Sequence, residues 1–327
     1  MELYEELETR FKEFVGDPGL NMVSCSSGTS ALHLGLEALQ LPPGSKVLVP
    51  DFCMYAVPRA IVMAGHIPVF VDCHREDLNL CILPDPMLKD VKAVIAVHNY
   101  GRRCEMDYIA ACAFALGWKV IEDLAEAHGV QPNLNTDVAC WSFYKNKIVA
   151  GEEGGMVAFR DSNRAHLARS LRCLGFTEAH DFTHIPRGFN ARMSNAHAEL
   201  VLKSLKYVGY NKELRAGRVL IYDRIIPEEY RMPTRHANWV YDVRIKKGNR
   251  QRLSRIVTRL NNLGVQARLS FLPNSLQEEF RGRVVKPKEE AIRASEEVMY
   301  LPLHPLMADE EVHRNATQFL KAVKEEV

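Results

Sequence analysis

Short apolar segments alternate with amphipathic segments through the first part of the chain. The apolar ones are separated by polar or glycine-rich turns and lie at Asn21–Cys25, Val47–Val49, Pro68–Val71, Val91–Val97 and Lys119–Ile121. Continuous apolar runs of this length are typical of strands that are buried on both faces. The amphipathic segments have apolar residues at helical spacing, over residues 1–15, 31–39, 54–64 and 107–116. These repeated strand–helix–strand units predict an α/β fold with a mostly parallel central sheet and helices on both faces.

Two further strands and then a change of pattern follow. The segments Val138–Phe143 and Gly155–Arg160 again have the composition of buried strands. A long helical region later extends to about Ile226, and the remaining elements are predicted as strand, helix, strand and helix at Trp239–Ile245, Arg250–Leu263, Val265–Leu272 and Ala308–Val323. We therefore expect a large domain over residues 1–207 and a smaller C-terminal α/β domain over residues 208–327.

Charged side chains lie just after the predicted strands. Ligands of a parallel sheet bind at the carboxyl ends of its strands, so these turns are the places to look for chemistry. Asp123 directly follows one apolar strand, and a carboxylate in that position can keep the protonated ring nitrogen of a cofactor charged. An aspartate there can equally be the cap of a following helix.

A lysine-rich turn follows the next strand. Between Trp141 and Met156 the chain has Ser142, Lys145 and Lys147 ahead of a cluster of glycines. A lysine held at a strand exit loses solvation, which lowers its pKa and makes its amine nucleophilic. Such an amine can form an imine with a carbonyl cofactor. The alternative is a solvated basic turn with no chemical role.

Small residues precede the second predicted helix. The segment Ser26–Ser30 exposes the unpaired backbone N–H groups of a helix start, and the helix dipole adds positive potential there. The segment can therefore bind a phosphate. An ordinary serine-capped helix is the alternative. No Gly-x-Gly-x-x-Gly follows the first strand, which argues against a dinucleotide-binding fold.

The composition narrows the class of protein. The 42 lysines and arginines balance 41 aspartates and glutamates, so there is no broad positive field for nucleic acid or a membrane. The eight cysteines include no Cys-x-x-Cys pair, and we expect reduced residues rather than disulfides or a metal site. The acidic, helical N-terminus is unlike a signal peptide, and no apolar run has the length of a membrane span. We expect a cytoplasmic protein.

Four segments together resemble the DegT/DnrJ/EryC1/StrS family of sugar aminotransferases, which are pyridoxal-phosphate enzymes of fold type I. The segments are Ser27–Leu32, Glu122–Gly129, Ser142–Met156 and Gly188–Met193. Each one is a weak signal alone, but the four in this order are specific. The Asn-Lys pair before the glycine-rich turn is most similar to the perosamine synthase branch. The resemblance extends from about residue 5 to the end of the chain and implies the fold type I architecture.

The resemblance implies roles for the residues around the cofactor ring. Lys147 matches the lysine that forms the imine with pyridoxal phosphate, and Lys145 is then an exposed neighbour. Asp123 matches the residue that holds the pyridine nitrogen protonated, which lets the ring accept electrons. Glu126 matches a position beside the phenolic oxygen of the ring.

The resemblance also implies which residues bind the phosphate of the cofactor. Ser142 matches a serine that binds the cofactor phosphate together with the backbone at Gly28 and Thr29. Asn190 matches an asparagine that reaches the phosphate of the partner subunit, which implies a homodimer with shared active sites. An asparagine in this setting can also be a turn residue or a helix cap.

The resemblance also points to three residues near the ring face and the substrate. Met54 occupies the position at which the family usually has an aromatic residue stacked on the cofactor ring. Its neighbour Tyr55 would point away from the ring in an unshifted register, and we expect it to lie on the substrate side. His184 matches a histidine near the sugar-binding cleft.

The implied activity is a ping-pong transamination from L-glutamate to a keto sugar, with a nucleotide-linked keto-deoxysugar as the expected acceptor. Lys147 would release the cofactor to the donor and then move a proton between two carbon atoms. Relatives that remove a sugar hydroxyl have histidine in place of this lysine, so amino transfer is favoured over dehydration. Two alternatives are an aminotransferase for a non-nucleotide ketone such as a cyclitol, and a non-catalytic scaffold or regulator that binds the cofactor.

Overall fold

A seven-stranded sheet lies at the centre of the larger part of the computed structural model, which describes residues 2–177, 182–281 and 288–326. Its strands β1 to β7 are, in chain order, Asn21–Cys25, Lys46–Pro50, Ile67–Val71, Val91–Val97, Lys119–Asp123, Val138–Ser142 and Gly155–Phe159. Across the sheet they lie in the order β1, β7, β6, β5, β4, β2, β3. The expected α/β fold is therefore confirmed.

One strand, β7, runs opposite to the others. It pairs antiparallel with β1 and with β6, whereas the pairs β6–β5, β5–β4, β4–β2 and β2–β3 are parallel. The carboxyl ends of β1, β4, β5 and β6 consequently meet at one edge of the sheet, where β7 begins. Because the residues expected to have chemical roles follow these strands, the topology brings them to the same edge.

Helices cover both faces of the sheet and surround the C-terminal part of the chain. They are α1 to α10, at Leu3–Val15, Gly28–Ala38, Ala56–Met63, Met106–Leu116, Ser162–Leu171, Asn195–Lys206, Val208–Ile225, Arg250–Asn262, Glu289–Glu297 and Asp309–Glu325. Successive strand residues point to opposite faces. In β6, Cys140 packs in the apolar cluster that contains α2, whereas Trp141 meets Phe11 of α1 edge-on at 5.3 Å. No helix among the described residues is long and apolar enough to cross a bilayer.

A smaller antiparallel sheet forms in the C-terminal part. Its strands are β8 (Tyr241–Arg244), β9 (Arg268–Leu269) and β10 (Val298–Leu301), with β10 in the middle. The helical region expected to end near Ile226 is two helices, α6 and α7, which meet at Tyr207. The division of the chain into domains at residues 207 and 208 stays a prediction.

The two strands expected in this part are shorter than the sequence pattern predicts. β8 starts two residues late, and only Arg268 and Leu269 of the second segment pair with β10. Beyond them the chain leaves the sheet, and the Asn274 side chain donates hydrogen bonds to the carbonyl oxygens of Asp51 and Cys53 at 3.0 Å. Tertiary contacts with the loop after β2 thus override the local strand propensity.

A buried ion-pair cluster joins the two sheets. Arg102, in the turn after β4, donates a hydrogen bond from Nη2 to Oδ1 of Asp242 in β8 at 3.0 Å, and its Nη1 lies 2.8 Å from Oδ2 of the same carboxylate. Arg235 donates from Nε to the same carboxylate at 2.7 Å. Burial alone would raise the pKa of Asp242, but the two guanidinium groups hold it below its usual value. The single negative charge of Asp242 is therefore shared between two buried guanidinium groups.

We expect Asp242→Asn to destabilise the protein by about 3–5 kcal/mol, because it leaves two buried arginines without a counter-charge. The matched control is Asp90→Asn, which breaks an exposed ion pair with Lys46 and should cost about 1 kcal/mol or less. Urea unfolding of the three proteins measures both effects. Equal stability of the two variants would contradict a structural role for the cluster.

Candidate active site

Lys147 lies in the turn between β6 and β7 and is largely buried. Its side chain is 11% exposed, and Nζ lies 4.0 Å from Glu126 Oε1 and 4.0 Å from the centroid of the Trp239 ring. Burial lowers the pKa of the amine, while Glu126 and Asp123 act in the opposite direction. Lys145, by contrast, is exposed. Of these two lysines, Lys147 has the surroundings of a nucleophilic amine.

Backbone hydrogen bonds fix the turn that contains Lys147. Phe143 donates from its N–H to Gly154 O at 2.8 Å and accepts at its carbonyl from Gly151 N at 2.7 Å. Beyond the lysine, His128 Nδ1 accepts a hydrogen bond from Val149 N at 2.9 Å. Burial lowers the pKa of His128 to about 3, so the ring is neutral at physiological pH and keeps an acceptor nitrogen for this bond. The lysine therefore extends from a closed turn that is held on both sides.

Two buried carboxyl groups lie near this amine. Asp123 is the last residue of β5, and its Oδ1 accepts a hydrogen bond from Ala125 N at 2.9 Å. Glu126 Oε2 accepts one from Tyr100 N at 2.8 Å, while its other oxygen lies toward Lys147. Burial raises the pKa of both carboxyl groups, that of Glu126 to about 7, against the effect of the nearby Lys147. The three titratable groups therefore share one poorly solvated space.

A second buried pair supports the end of β5. His98 Nε2 lies 2.8 Å from Glu122 Oε2, and both side chains are fully buried. Because His98 Nδ1 accepts a hydrogen bond from Cys104 N at 3.0 Å, the proton of the neutral ring is on Nε2 and is donated to Glu122. Glu122 Oε1 also accepts a bond from Asn133 N at 2.7 Å. This network ties the turn after β4 to the strand that ends in Asp123.

The start of α2 lies directly against the end of β6. Ser27 caps the helix with its hydroxyl, and the first helical hydrogen bond runs from Ala31 N to Ser27 O at 2.9 Å. The N–H groups of Gly28 and Thr29 precede that bond and so have no partner within the helix. A Cβ atom at Gly28 would lie 2.7 Å from Ser142 Cβ, so glycine is needed for this approach. The helix start and the Ser142 hydroxyl together suit an anion.

Met54 and Tyr55 have different surroundings from the lysine group. The Met54 side chain is 53% exposed. The Tyr55 hydroxyl contacts Glu279, which also forms an ion pair with Arg59 at 2.5 Å. Nothing in the described part of the chain links Tyr55 to Lys147, so its substrate role stays a prediction, as does ring contact by Met54.

His184 and Asn190 lie on the exposed segment before α6. His184 Nδ1 is 2.9 Å from Leu174 O, and its ring centroid is 4.4 Å from that of Phe176. Asn190 Oδ1 accepts a hydrogen bond from Arg192 Nε at 3.4 Å. Within residues 2–177, 182–281 and 288–326 neither side chain has a described contact with Lys147 of its own chain. The expected roles of both stay predictions.

Trp239 and Tyr100 complete the group around Lys147, and sequence reasoning missed both. Trp239 falls at the start of a predicted strand, which gives no reason to place it beside a residue so distant in sequence. Tyr100 has a backbone φ of 52°, which a residue with a side chain seldom adopts. The only sequence signal for this turn is the neighbouring Gly101, which also has positive φ.

Comparison with known proteins agrees with this geometry. The sequence matches the DegT/DnrJ/EryC1/StrS aminotransferase family over residues 2–319. It is 29% identical to GDP-perosamine synthase from Caulobacter vibrioides, over 94% of this chain and 87% of the relative. It is also 29% identical to UDP-N-acetyl-3-dehydro-alpha-D-glucosamine 3-aminotransferase from Acidithiobacillus ferrooxidans, over 90% and 82% of the two chains.

A solved structure shows the same fold. The putative sugar aminotransferase Spr1654 from Streptococcus pneumoniae, in its PLP-form, superposes with a TM-score of 0.88. The match covers 100% of this chain and 92% of that one, at 22% sequence identity. At this identity the likeness establishes the architecture only. The roles of individual residues have to be argued from the contacts around Lys147.

The residues at this edge fit a phosphorylated ring with a protonated nitrogen. Asp123 is a buried carboxyl group, and in the part of the chain that the structure describes no lysine, arginine or histidine forms an ion pair with it. Lys147 opposes the effect of burial without forming an ion pair with Asp123, and a pyridinium nitrogen would supply a counter-charge in direct contact. The close approach of Gly28 to Ser142 provides the anion site that the phosphate requires.

Glu126 should make the stability of the cofactor-free protein depend on pH. A carboxyl group whose pKa rises from 4.5 to about 7 on folding binds more protons in the folded chain, so stability falls as pH rises between these values. Glu126→Gln removes this contribution. Urea unfolding from pH 5 to about 8 should therefore show the wild type losing stability relative to the variant. Parallel pH profiles would contradict the buried carboxyl group.

Proposed function

The chain belongs to the DegT/DnrJ/EryC1/StrS aminotransferase family and is a pyridoxal-phosphate-dependent aminotransferase, and we propose that it transfers an amino group from L-glutamate to a nucleotide-linked keto sugar. The observation that carries this proposal is the single poorly solvated space shared by Lys147, Asp123 and Glu126, next to the anion site at the start of α2. If this segment were only a solvated basic turn, the amine, the carboxyl groups and the anion site would not be expected to lie together.

The chain's own residues divide the work of holding the cofactor. The N–H groups of Gly28 and Thr29 and the Ser142 hydroxyl would bind the phosphate, while Asp123 would keep the ring nitrogen protonated. Bound in this way, pyridoxal phosphate supplies an electron sink that makes a carbon-bound proton of the substrate acidic. Glu126, whose carboxylate is held by the Tyr100 N–H, would interact with the oxygen substituent of the ring.

Lys147 acts as the base and the acid of the reaction. Burial lowers the pKa of its amine, so a larger neutral fraction is available to accept a proton at Nζ from the substrate carbon. The resulting ammonium group can return that proton to a second carbon. The two nearby carboxyl groups stabilise the ammonium form between these steps. A lysine in this position favours amino transfer over loss of a hydroxyl group.

A nucleotide-linked sugar is the proposed acceptor because two relatives covering most of the chain have names that include GDP-perosamine and a UDP-linked dehydro sugar. Met54, Tyr55 and His184 are proposed to face the ring and the sugar, and their exposure leaves them available to a ligand. A cyclitol acceptor is the alternative within the same chemistry. The thiol form of the eight cysteines supports a cytoplasmic location.

The function is tested by incubating the protein with L-glutamate and a panel of keto nucleotide sugars and keto cyclitols. Formation of 2-oxoglutarate and of the amino product is followed by mass spectrometry. Lys147→Ala should reduce turnover by more than about a hundredfold, because the proton-transferring amine is lost. Lys145→Ala is the matched control and should keep near-normal turnover. No amination of any ketone by the wild type, or equal effects of the two variants, would refute the proposal.

We also propose a homodimer with shared active sites, in which Asn190 binds the cofactor phosphate of the partner subunit. The exposed position of Asn190, outside the group around its own Lys147, supports this arrangement. A two-fold axis would then create two equivalent sites, each built from both chains.

Complementation tests the shared site. Lys147→Ala and Asn190→Ala chains, each expected to be nearly inactive, are unfolded, mixed and refolded together. If Asn190 acts across the interface, each mixed dimer has one intact site, and random pairing restores roughly a quarter of the wild-type sites. Each variant refolded alone is the control. If Asn190 acts within its own chain, every mixed site has one lesion and no activity returns.

A further inference from the structure

Trp239 is the aromatic residue that lies against the amine of Lys147. Its side chain comes from the segment that leads into β8, whereas the lysine follows β6. The Nζ atom lies 4.0 Å from the centroid of the indole ring, and Trp239 is 5% exposed. A cation over the face of a tryptophan at this distance is attracted by the ring, and most strongly where water is excluded.

Several contacts hold the indole in place. Its Nε1–H donates a hydrogen bond to Asn146 O, one residue before the lysine, at 2.9 Å. Its ring lies nearly parallel to that of Tyr100, with centroids 6.2 Å apart. The Trp239 carbonyl accepts a hydrogen bond from Arg215 at 2.9 Å. The tryptophan thus binds both the backbone of the lysine turn and the side-chain amine.

Backbone hydrogen bonds hold the segment before Trp239 against the turn after β4. Gly101 O accepts hydrogen bonds from His236 N at 2.9 Å and Ala237 N at 3.0 Å. A Cβ atom at Gly101 would overlap the Ala237 carbonyl oxygen, so the two backbones meet with no room for a side chain. The same turn holds Tyr100, whose N–H binds Glu126. One backbone contact therefore places both the indole and the carboxyl group next to Lys147.

We propose that Trp239 is a positioning residue for Lys147, which holds Nζ between the indole face and Glu126 and prevents the side chain from swinging out to solvent. This inference rests on the proposed function in that it assigns a role in amino transfer. Lys145, two residues earlier on the same turn, shows the exposed alternative. The indole orients the amine as a cation and leaves proton transfer to the lysine itself.

Ordinary core packing is the competing explanation, since Trp239 also belongs to the main apolar cluster. Trp239→Phe keeps a ring face, whereas Trp239→Leu keeps a buried apolar side chain without one. A packing role predicts comparable effects of the two substitutions on the lysine. A positioning role through the ring predicts that phenylalanine substitutes for tryptophan better than leucine does.

The test is competitive acylation of lysines in the full-length, cofactor-free protein across a pH series, with the extent at each lysine read by peptide mass spectrometry. In Trp239→Leu the pKa of Lys147 should fall by about 0.5–1 unit relative to wild type, because the ring no longer stabilises the ammonium form. In Trp239→Phe it should stay closer to wild type. Lys145 is the internal reference, and Trp118→Phe, equally buried but away from this group, is the control variant.

The loaded enzyme supplies a second readout. Turnover should fall more in Trp239→Leu than in Trp239→Phe, with the KM for the amino donor little changed. An unchanged or raised Lys147 pKa in folded Trp239→Leu would overturn the inference, as would equal kinetic loss in the two variants. The acylation result does not require turnover, so it decides the role of Trp239 even if no keto sugar proves to be a substrate.

Discussion

The structure around the candidate site depends on one constraint. An amine and two carboxyl groups are removed from water at the same edge of the sheet. Lys147, Asp123 and Glu126 are all buried or nearly so, and burial works against the charged form of each of them. Charged groups in such surroundings are tolerated only when partners are placed accurately around them. Three features provide this placement. They are the closed turn of Lys147, the His98–Glu122 pair and the start of α2 at Gly28.

Accurate placement depends on contacts between segments that are far apart in sequence. The turn after β4 contributes the Tyr100 N–H to Glu126 and the Gly101 carbonyl to the segment that leads to Trp239. The ion pairs of Asp242 fix the same turn to the smaller sheet. The smaller sheet therefore also helps to build the site, because its first strand, β8, follows closely after Trp239, which contacts the amine of Lys147.

The sequence predicts the part of the candidate site that lies on strand ends. Asp123, Ser142 and Lys147 follow apolar strands, and the parallel topology brings such positions to one edge whatever their separation along the chain. Family resemblance then distinguished Lys147 from Lys145, which composition and spacing leave equivalent. Trp239 and the positive φ of Tyr100 could not be foreseen, because they arise from tertiary docking that overrides local propensity. The proposed role of Asn190 at the phosphate of a partner subunit would depend on an interface between two chains, which the fold of one chain does not reveal.

Lys147 is proposed to be the amine that bonds the cofactor, with burial and the neighbouring carboxyl groups setting its reactivity. The most direct measurement is borohydride reduction of the protein loaded with pyridoxal phosphate, followed by proteolysis and mass spectrometry of the modified peptide. Because Lys145 and Lys147 are only two residues apart, fragmentation must separate them. The structure predicts the cofactor mass on Lys147 with Lys145 unmodified. Modification of Lys145, or a label spread over exposed lysines, would contradict the account.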